Sequence, residues 1–182
     1  VNFDVKGMGL GLPFSVSSDM RMKAYKAPWG TALRIVSFTL VVLSVASVVG
    51  WPLVFPAEAG SVVLLLQWSL PVILACCLPF VIRGYAITSD AVLIRRLFWT
   101  TRLDLSGLIS AEALPKAMTK CLRVCGNGGV FSFTGWYWSK SLGFFRPLVT
   151  DLNRTVVLRF GKRTVVISPD DPEGFVIELE RR

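Results

Sequence analysis

Asp170 and Asp171 are adjacent carboxylates, a pairing that can share general acid and general base work. They stand between Pro169 and Pro172, just ahead of the run EGFVIEL. An aspartate at that place caps a helix by accepting from its free amide N–H groups, with Pro172 at the first helical position. Capping accounts for the pair without chemistry. Gly126-Asn127-Gly128-Gly129 invites a phosphate-cradling loop. The dinucleotide fingerprint asks for a further Gly or Ala opening a helix, and Phe131 stands there; the Gly-Lys-Ser/Thr of a P-loop is absent. Cys121 and Cys125 lie four apart, so on a strand both point to one face. Extended chain separates them by about 13 Å, too far for a disulfide, and they read as core thiols. The sequence contains no histidine. That excludes Ser-His-Asp and Cys-His catalysis and His-ligated zinc. No catalytic residue, no metal site and no cofactor is therefore expected.

The residues that remain of interest are aromatic and basic. Seven of the 21 aromatics fall in residues 131–145: Phe131, Phe133, Trp136, Tyr137, Trp138, Phe144 and Phe145. Lys140 and Arg146 are interleaved with them. Five glycines between 126 and 143 break this stretch, which reads as a loop or bent hairpin. Its rings either contact membrane or a partner chain, with Lys140 and Arg146 meeting lipid phosphates, or fold back as a lid on their own domain. A second basic group flanks the apolar segments: Arg21, Lys23 and Lys26 before them, and Arg83, Arg95 and Arg96 after. These are candidate lipid-headgroup contacts, or charges that set topology and are otherwise solvated.

The elements that must position these residues divide the chain in three. The chain has 182 residues, 53% apolar and 18% charged, with a net charge of +8, and a mean hydropathy of +0.57. Average soluble domains are about 25% charged. The apolar excess is concentrated. Residues 31–50 carry one charge, Arg34, and residues 61–82 carry none before Arg83 closes the run. Twenty helical residues span about 30 Å, the depth of a bilayer core. The expected organisation is a cytoplasmic N-terminal arm (1–30), a transmembrane helical hairpin (31–83, spans 31–50 and 61–83) and a cytoplasmic domain (84–182). The link 51–60 has no Lys or Arg, so the positive-inside rule leaves it outside and both ends cytoplasmic. Trp51 would anchor the outer end. Gln67 would serve helix packing or an oligomer contact.

Residues 84–182 read as β. Short strands are expected at 85–88, 91–97, 98–105, 108–114, 120–125, 154–160 and 163–168, joined as a meander. One amphipathic C-terminal helix follows, with Phe175 and Leu179 on one face.

Tyr85 and Thr88 open the first of these strands. Gly128, Gly129 and Phe131 form a mid-domain loop, and Ser168 to Pro172 precede the helix bearing Phe175. In these features residues 84–182 resemble the pleckstrin-homology (PH)-like domains of small bacterial membrane-anchored proteins. The resemblance implies an α+β membrane protein: a two-helix transmembrane hairpin, then a PH-like β-barrel or sandwich closed by a C-terminal α-helix. It implies no single activity. Eukaryotic relatives often bind phosphoinositides or peptides, but their phosphate-binding basic pattern is not recognisable here.

The function expected is a non-enzymatic scaffold, adaptor or accessory subunit in the bacterial cytoplasmic (inner) membrane. It would dock proteins or lipid headgroups, with a protein partner or a second copy of itself and no nucleic acid. The alternative is a component of a membrane enzyme or transport complex with its own activity.

Overall fold

Most buried apolar residues after the two apolar helices lie in strands or in the last helix, with Ala117, Met118, Phe131 and Leu142 buried in turns between strands. The computed structural model describes residues 22–54 and 61–181. Arg21 and most of the link between the apolar segments lie outside the described residues. The elements are β1 (Lys23–Lys26), α1 (Thr31–Val54), α2 (Ser61–Cys77), a 3-10 turn (Leu78–Phe80), β2 (Ile82–Ile87), β3 (Ala91–Arg96), β4 (Thr100–Asp104), β5 (Leu108–Ala113), β6 (Leu122–Gly128), β7 (Phe133–Ser139), β8 (Gly143–Val149), β9 (Val156–Phe160), β10 (Arg163–Ile167) and α3 (Pro172–Glu180).

The strands form two sheets, β1-β2-β3-β4 and β5-β9-β10-β8-β7-β6. A plain meander does not hold, because β10 pairs in parallel with β8. Between the sheets lies the main core, with Tyr85 and Ile94 from one sheet, Leu158 and Ile167 from the other, and Phe175 and Leu179 of α3. A second cluster, including Tyr137, Phe145, Val157 and Val166, covers the opposite face of the larger sheet. Val156 and Leu158 face one core and Val157 the other. A strand buried on both faces reads as a continuous apolar run, which is the pattern of VVLRF and TVVI.

The motif residues at the ends of this sandwich are structural. The Tyr85 hydroxyl donates to the Leu148 carbonyl at 2.7 Å and accepts from the Ser168 N–H at 3.3 Å, tying the two sheets together. Thr88 donates to the Ala91 carbonyl at 2.8 Å and accepts from its N–H, closing the β2–β3 turn. Asp171 caps α3 by accepting from Gly174 N–H at 2.9 Å, with Pro172 in the first turn.

The domain begins before the apolar segments. β1, expected only as part of an arm, pairs antiparallel with β2, Tyr25 opposite Tyr85. The two helices are therefore inserted between neighbouring strands of one sheet. α1 continues past Gly50 to Val54. Residues 81–83, expected to end the second helix, instead lead into β2. Pro79 sits in the 3-10 turn after Cys77, and Ile82 is pulled fully into the core.

Leu33, Ser37 and Ser44 of α1 are buried, and so are Gln67 and Leu74 of α2. This three-and-four spacing is a single stripe on each helix. Gln67 Nε2 donates to the Val48 carbonyl at 3.1 Å, so it packs the two helices together. Most other described positions on both helices are exposed and apolar, such as Phe38 at 71% and Leu65 at 72%. Residues Thr31–Gly50 are long and apolar enough to cross a membrane, with a mean hydropathy of 2.2 and 17% of the stretch buried. It is the one such helix among the described residues; the second apolar segment, Leu64–Phe80, is shorter.

Candidate functional site

At the foot of the helical hairpin five arginines from four strands line two hollows, and Arg96 belongs to both. Its position follows from β3. Ile94 points into the core, Arg95 outward and Arg96 inward, where it is 8% exposed. Arg96 Nε donates to Thr101 Oγ1 at 3.1 Å and Nη1 reaches the Phe80 carbonyl at 3.5 Å. Its guanidinium carbon lies 5.7 Å from the ring centres of both Phe80 and Trp99. Those two rings meet edge to face at 5.6 Å. Cation–π contact holds the charge in place without neutralising it. Burial, and then the nearby Arg146 charge, lower the Arg96 pKa. The guanidinium nonetheless stays protonated.

The first hollow, about 460 Å³, gathers Arg83, Arg95 and Arg96 with the β3–β4 turn Leu97–Trp99. Phe98 on that turn is 73% exposed. Three of the expected headgroup residues thus come together. The two described lysines of that set do not line this hollow. Lys23 on β1 pairs with Glu178 of α3 at 3.4 Å, and Lys26 is exposed beside Gly84.

The second hollow, about 650 Å³, lies between the helix feet and the β6–β7 hairpin. Arg96, Arg123 and Arg146 line it together with Val36 and Leu40 of α1 and Cys77 of α2. Its remaining wall includes Gly126, Gly128 and Gly135. Gly126 and Gly135 are paired across the strands with φ of 111° and 126°. A Cβ on either would strike the other strand's backbone. Only glycine allows this close, bent crossing. A Cβ on Gly128 would meet the Arg123 guanidinium, which lies across it. α1 is fastened here, since Ser37 Oγ accepts from Phe131 N–H at 3.0 Å.

Of the two readings of the aromatic stretch, loop or bent hairpin, the hairpin holds: β7 and β8 pair antiparallel, with Phe131 just ahead of β7 and Lys140 exposed at the β7–β8 turn. Strand alternation sorts the rings. Tyr137 and Phe145 are buried in the second core cluster, with Phe133 packed against it. Phe131 is also buried, 6.2 Å from the Trp29 ring. Trp136, Trp138 and Phe144 are exposed. Register aligns Leu122, Trp138 and Phe144 in one cross-strand row. Arg146 follows Phe144 on the same face, and Leu148 beyond it enters the core between the sheets. The six-stranded sheet therefore outreaches its four-stranded partner, and this overhang carries the exposed rings.

Cys125 is exposed opposite Trp136, whereas Cys121 precedes β6 and packs on the second cluster. A bulge between Arg123 and Cys125 breaks the regular spacing that would have placed both thiols on one face. No group of three or more metal-ligating side chains occurs among the described residues.

A family profile described as Bacterial PH domain matches residues 83–182. The chain belongs to the bacterial PH domain family. No curated protein and no solved structure matched the chain. The PH domain match starts at Arg83, yet the PH domain fold of this chain also takes in β1 from before the helices. The PH domain thus grips the helical hairpin at both its entry and its exit.

Sequence reasoning passed over Arg123, Phe80 and Trp99. Arg123 could have been noticed from its place five residues ahead of Gly128, the glycine that lets its side chain lie flat. Phe80 and Trp99 carried no such signal, because only the β2–β3–β4 register brings Trp99 back to the helix foot.

Proposed function

We propose that this chain is a non-enzymatic docking protein of the bacterial cytoplasmic membrane. Its α1–α2 hairpin lies in the bilayer, both termini face the cytoplasm, and the PH domain rests against the anionic inner leaflet. One observation carries this reading. Two helices with exposed apolar surfaces leave from β1 and return to β2, neighbouring strands of one sheet, above a collar of arginines. Entry and exit then lie on the same side of the membrane by construction. Arg83, Arg95 and Arg96 fall at headgroup depth, where each basic residue gains about 1 kcal/mol from anionic lipid. Exposed Phe98 beside them suits the interface. Exposed apolar surface on this scale marks a membrane or protein contact.

The overhanging strip of Leu122, Trp138 and Phe144, with Trp136 beside it, supports a second contact, to a protein partner or another copy of the chain. This is the accessory-subunit form of the same reading. Alkaline washing of membranes from expressing cells tests the anchoring. Retention until detergent is added is expected; release by alkali contradicts it.

A further inference from the structure

We infer that the hollow between the helix feet and the β6–β7 hairpin is a binding site for one anionic phospholipid, its phosphate held by Arg96, Arg123 and Arg146 and an acyl chain laid against Val36, Leu40 and Cys77. The inference deepens the proposed membrane docking and rests on it.

Three guanidinium-bearing side chains from β3, β6 and β8 line one cavity. Among the described residues no carboxylate lies within ion-pair distance of any of them, since every described ion pair involves other cations. An unpaired charge out of water is costly. Arg96, 8% exposed and without a carboxylate partner, bears that cost. Arg96 and Arg146 also repel one another, a repulsion that a shared anion would relieve. Guanidinium forks match phosphate geometry, and hydrogen bonds between the two charged groups are about twice as strong as neutral ones.

The apolar lining selects a lipid over a free phosphate. A phosphate alone would leave Val36, Leu40 and Cys77 uncovered. At about 650 Å³ the cavity falls in the range of ~300–1,000 Å³ usual for small-molecule sites. The neighbouring hollow of Arg83 and Arg95 takes its apolar lining from the β3–β4 turn, Leu97–Trp99, and from no residue of α1 or α2. Arg96 is fixed beforehand by Thr101, Phe80 and Trp99, so little ordering remains to oppose binding. Gly126 and Gly135, which also line the cavity, put no side chain into it.

The test uses the full chain in a nonionic detergent. It is titrated with short-chain phosphatidylglycerol, with phosphatidylcholine of equal chain length, and with glycerol 3-phosphate and inorganic phosphate. Native mass spectrometry counts the bound lipid. One phosphatidylglycerol per chain is expected, bound at least about 10-fold more tightly than the other three probes. Arg123→Gln with Arg146→Gln should weaken it at least about 10-fold at an unchanged melting temperature. Val36→Trp, which fills the apolar wall and spares the arginines, should displace the lipid as well. Equal affinity for the two lipids, or wild-type affinity in these variants, would overturn the site. Soluble phosphate binding as tightly as phosphatidylglycerol would overturn the lipid assignment. A chain that captures no lipid yet resists alkaline extraction loses only this site, whereas release by alkali removes the anchoring beneath it.

Discussion

Lys26 and Asp170 exchange two hydrogen bonds: Lys26 N–H donates to Asp170 Oδ1 at 3.1 Å, and Asp170 N–H donates to the Lys26 carbonyl at 3.0 Å. The strand that feeds the helical hairpin is thereby fastened to the loop that starts the C-terminal helix. Tyr25, next in β1, stacks edge to face on Phe175 at 4.9 Å and donates to the Gly174 carbonyl at 3.0 Å. The adjacent aspartates that resembled an acid–base pair thus have separate structural tasks, one on β1 and one on α3.

Replacing them should separate those tasks. Asp171→Ala removes the α3 cap and should cost about 1 kcal/mol in denaturant unfolding. Asp170→Ala should cost about 0.5–1.5 kcal/mol, towards the lower end because water reaches the freed Lys26 amide. Amide exchange should rise in β1 for Asp170→Ala and in α3 for Asp171→Ala.

Tyr85 gives stability an alkaline limit. Burial raises its pKa from 10 to about 12 in the folded chain. Below pH 10 both folded and unfolded tyrosine are neutral and its contribution is whole. Between about pH 10 and 12 the unfolded phenol ionises first, so stability falls as pH rises. Melting temperatures measured across this window should decline. Tyr85→Phe should flatten that part of the decline and cost about 1–3 kcal/mol at neutral pH, because it leaves the buried Leu148 carbonyl without its donor.

Two glycine substitutions should differ sharply. Gly135→Ala forces a side chain into φ of 126° and against the Cys125 carbonyl, costing at least about 1–3 kcal/mol from backbone strain alone. Gly161→Ala meets nothing within 4 Å and should stay within about 0.5 kcal/mol. Equal losses in denaturant unfolding would contradict the close β6–β7 crossing.

Much of this was legible in the sequence, for physical reasons that also explain the rest. β9, β10 and the capped α3 follow from short-range signals: β-branched runs, a tight turn at Gly161-Lys162, and Asp171-Pro172. Arg83, Arg95 and Arg96 were readable as a group because they flank one apolar run. β1 was not, since KAYK has no apolar pattern of its own and is a strand only through Tyr85 and Asp170, which lie far along the chain. The β7–β8 hairpin was legible only as one of two readings, loop or bent hairpin, because glycines serve both; in the fold Gly126 and Gly135 permit a bend. The arginine-lined hollow depends on bringing β3, β6 and β8 together with α1, and no local pattern encodes that.

The exposed rings can be removed without unfolding the domain. Trp136→Ser with Trp138→Ser leaves Tyr137 and Phe145 in the core, so the melting temperature should hold. Assembly or binding to anionic vesicles should weaken, as read by size-exclusion light scattering and vesicle flotation. Unchanged behaviour in both would exclude the overhang as a contact surface.

On the proposed topology the hairpin crosses the membrane and returns the PH domain to the side it left. A reporter enzyme active only outside the cytoplasm, fused after Arg182 or inserted between residues 55 and 60, tests it most directly. Activity from the inserted reporter and none from the terminal one is expected. Activity from the terminal fusion, or silence from both at normal expression, would contradict it.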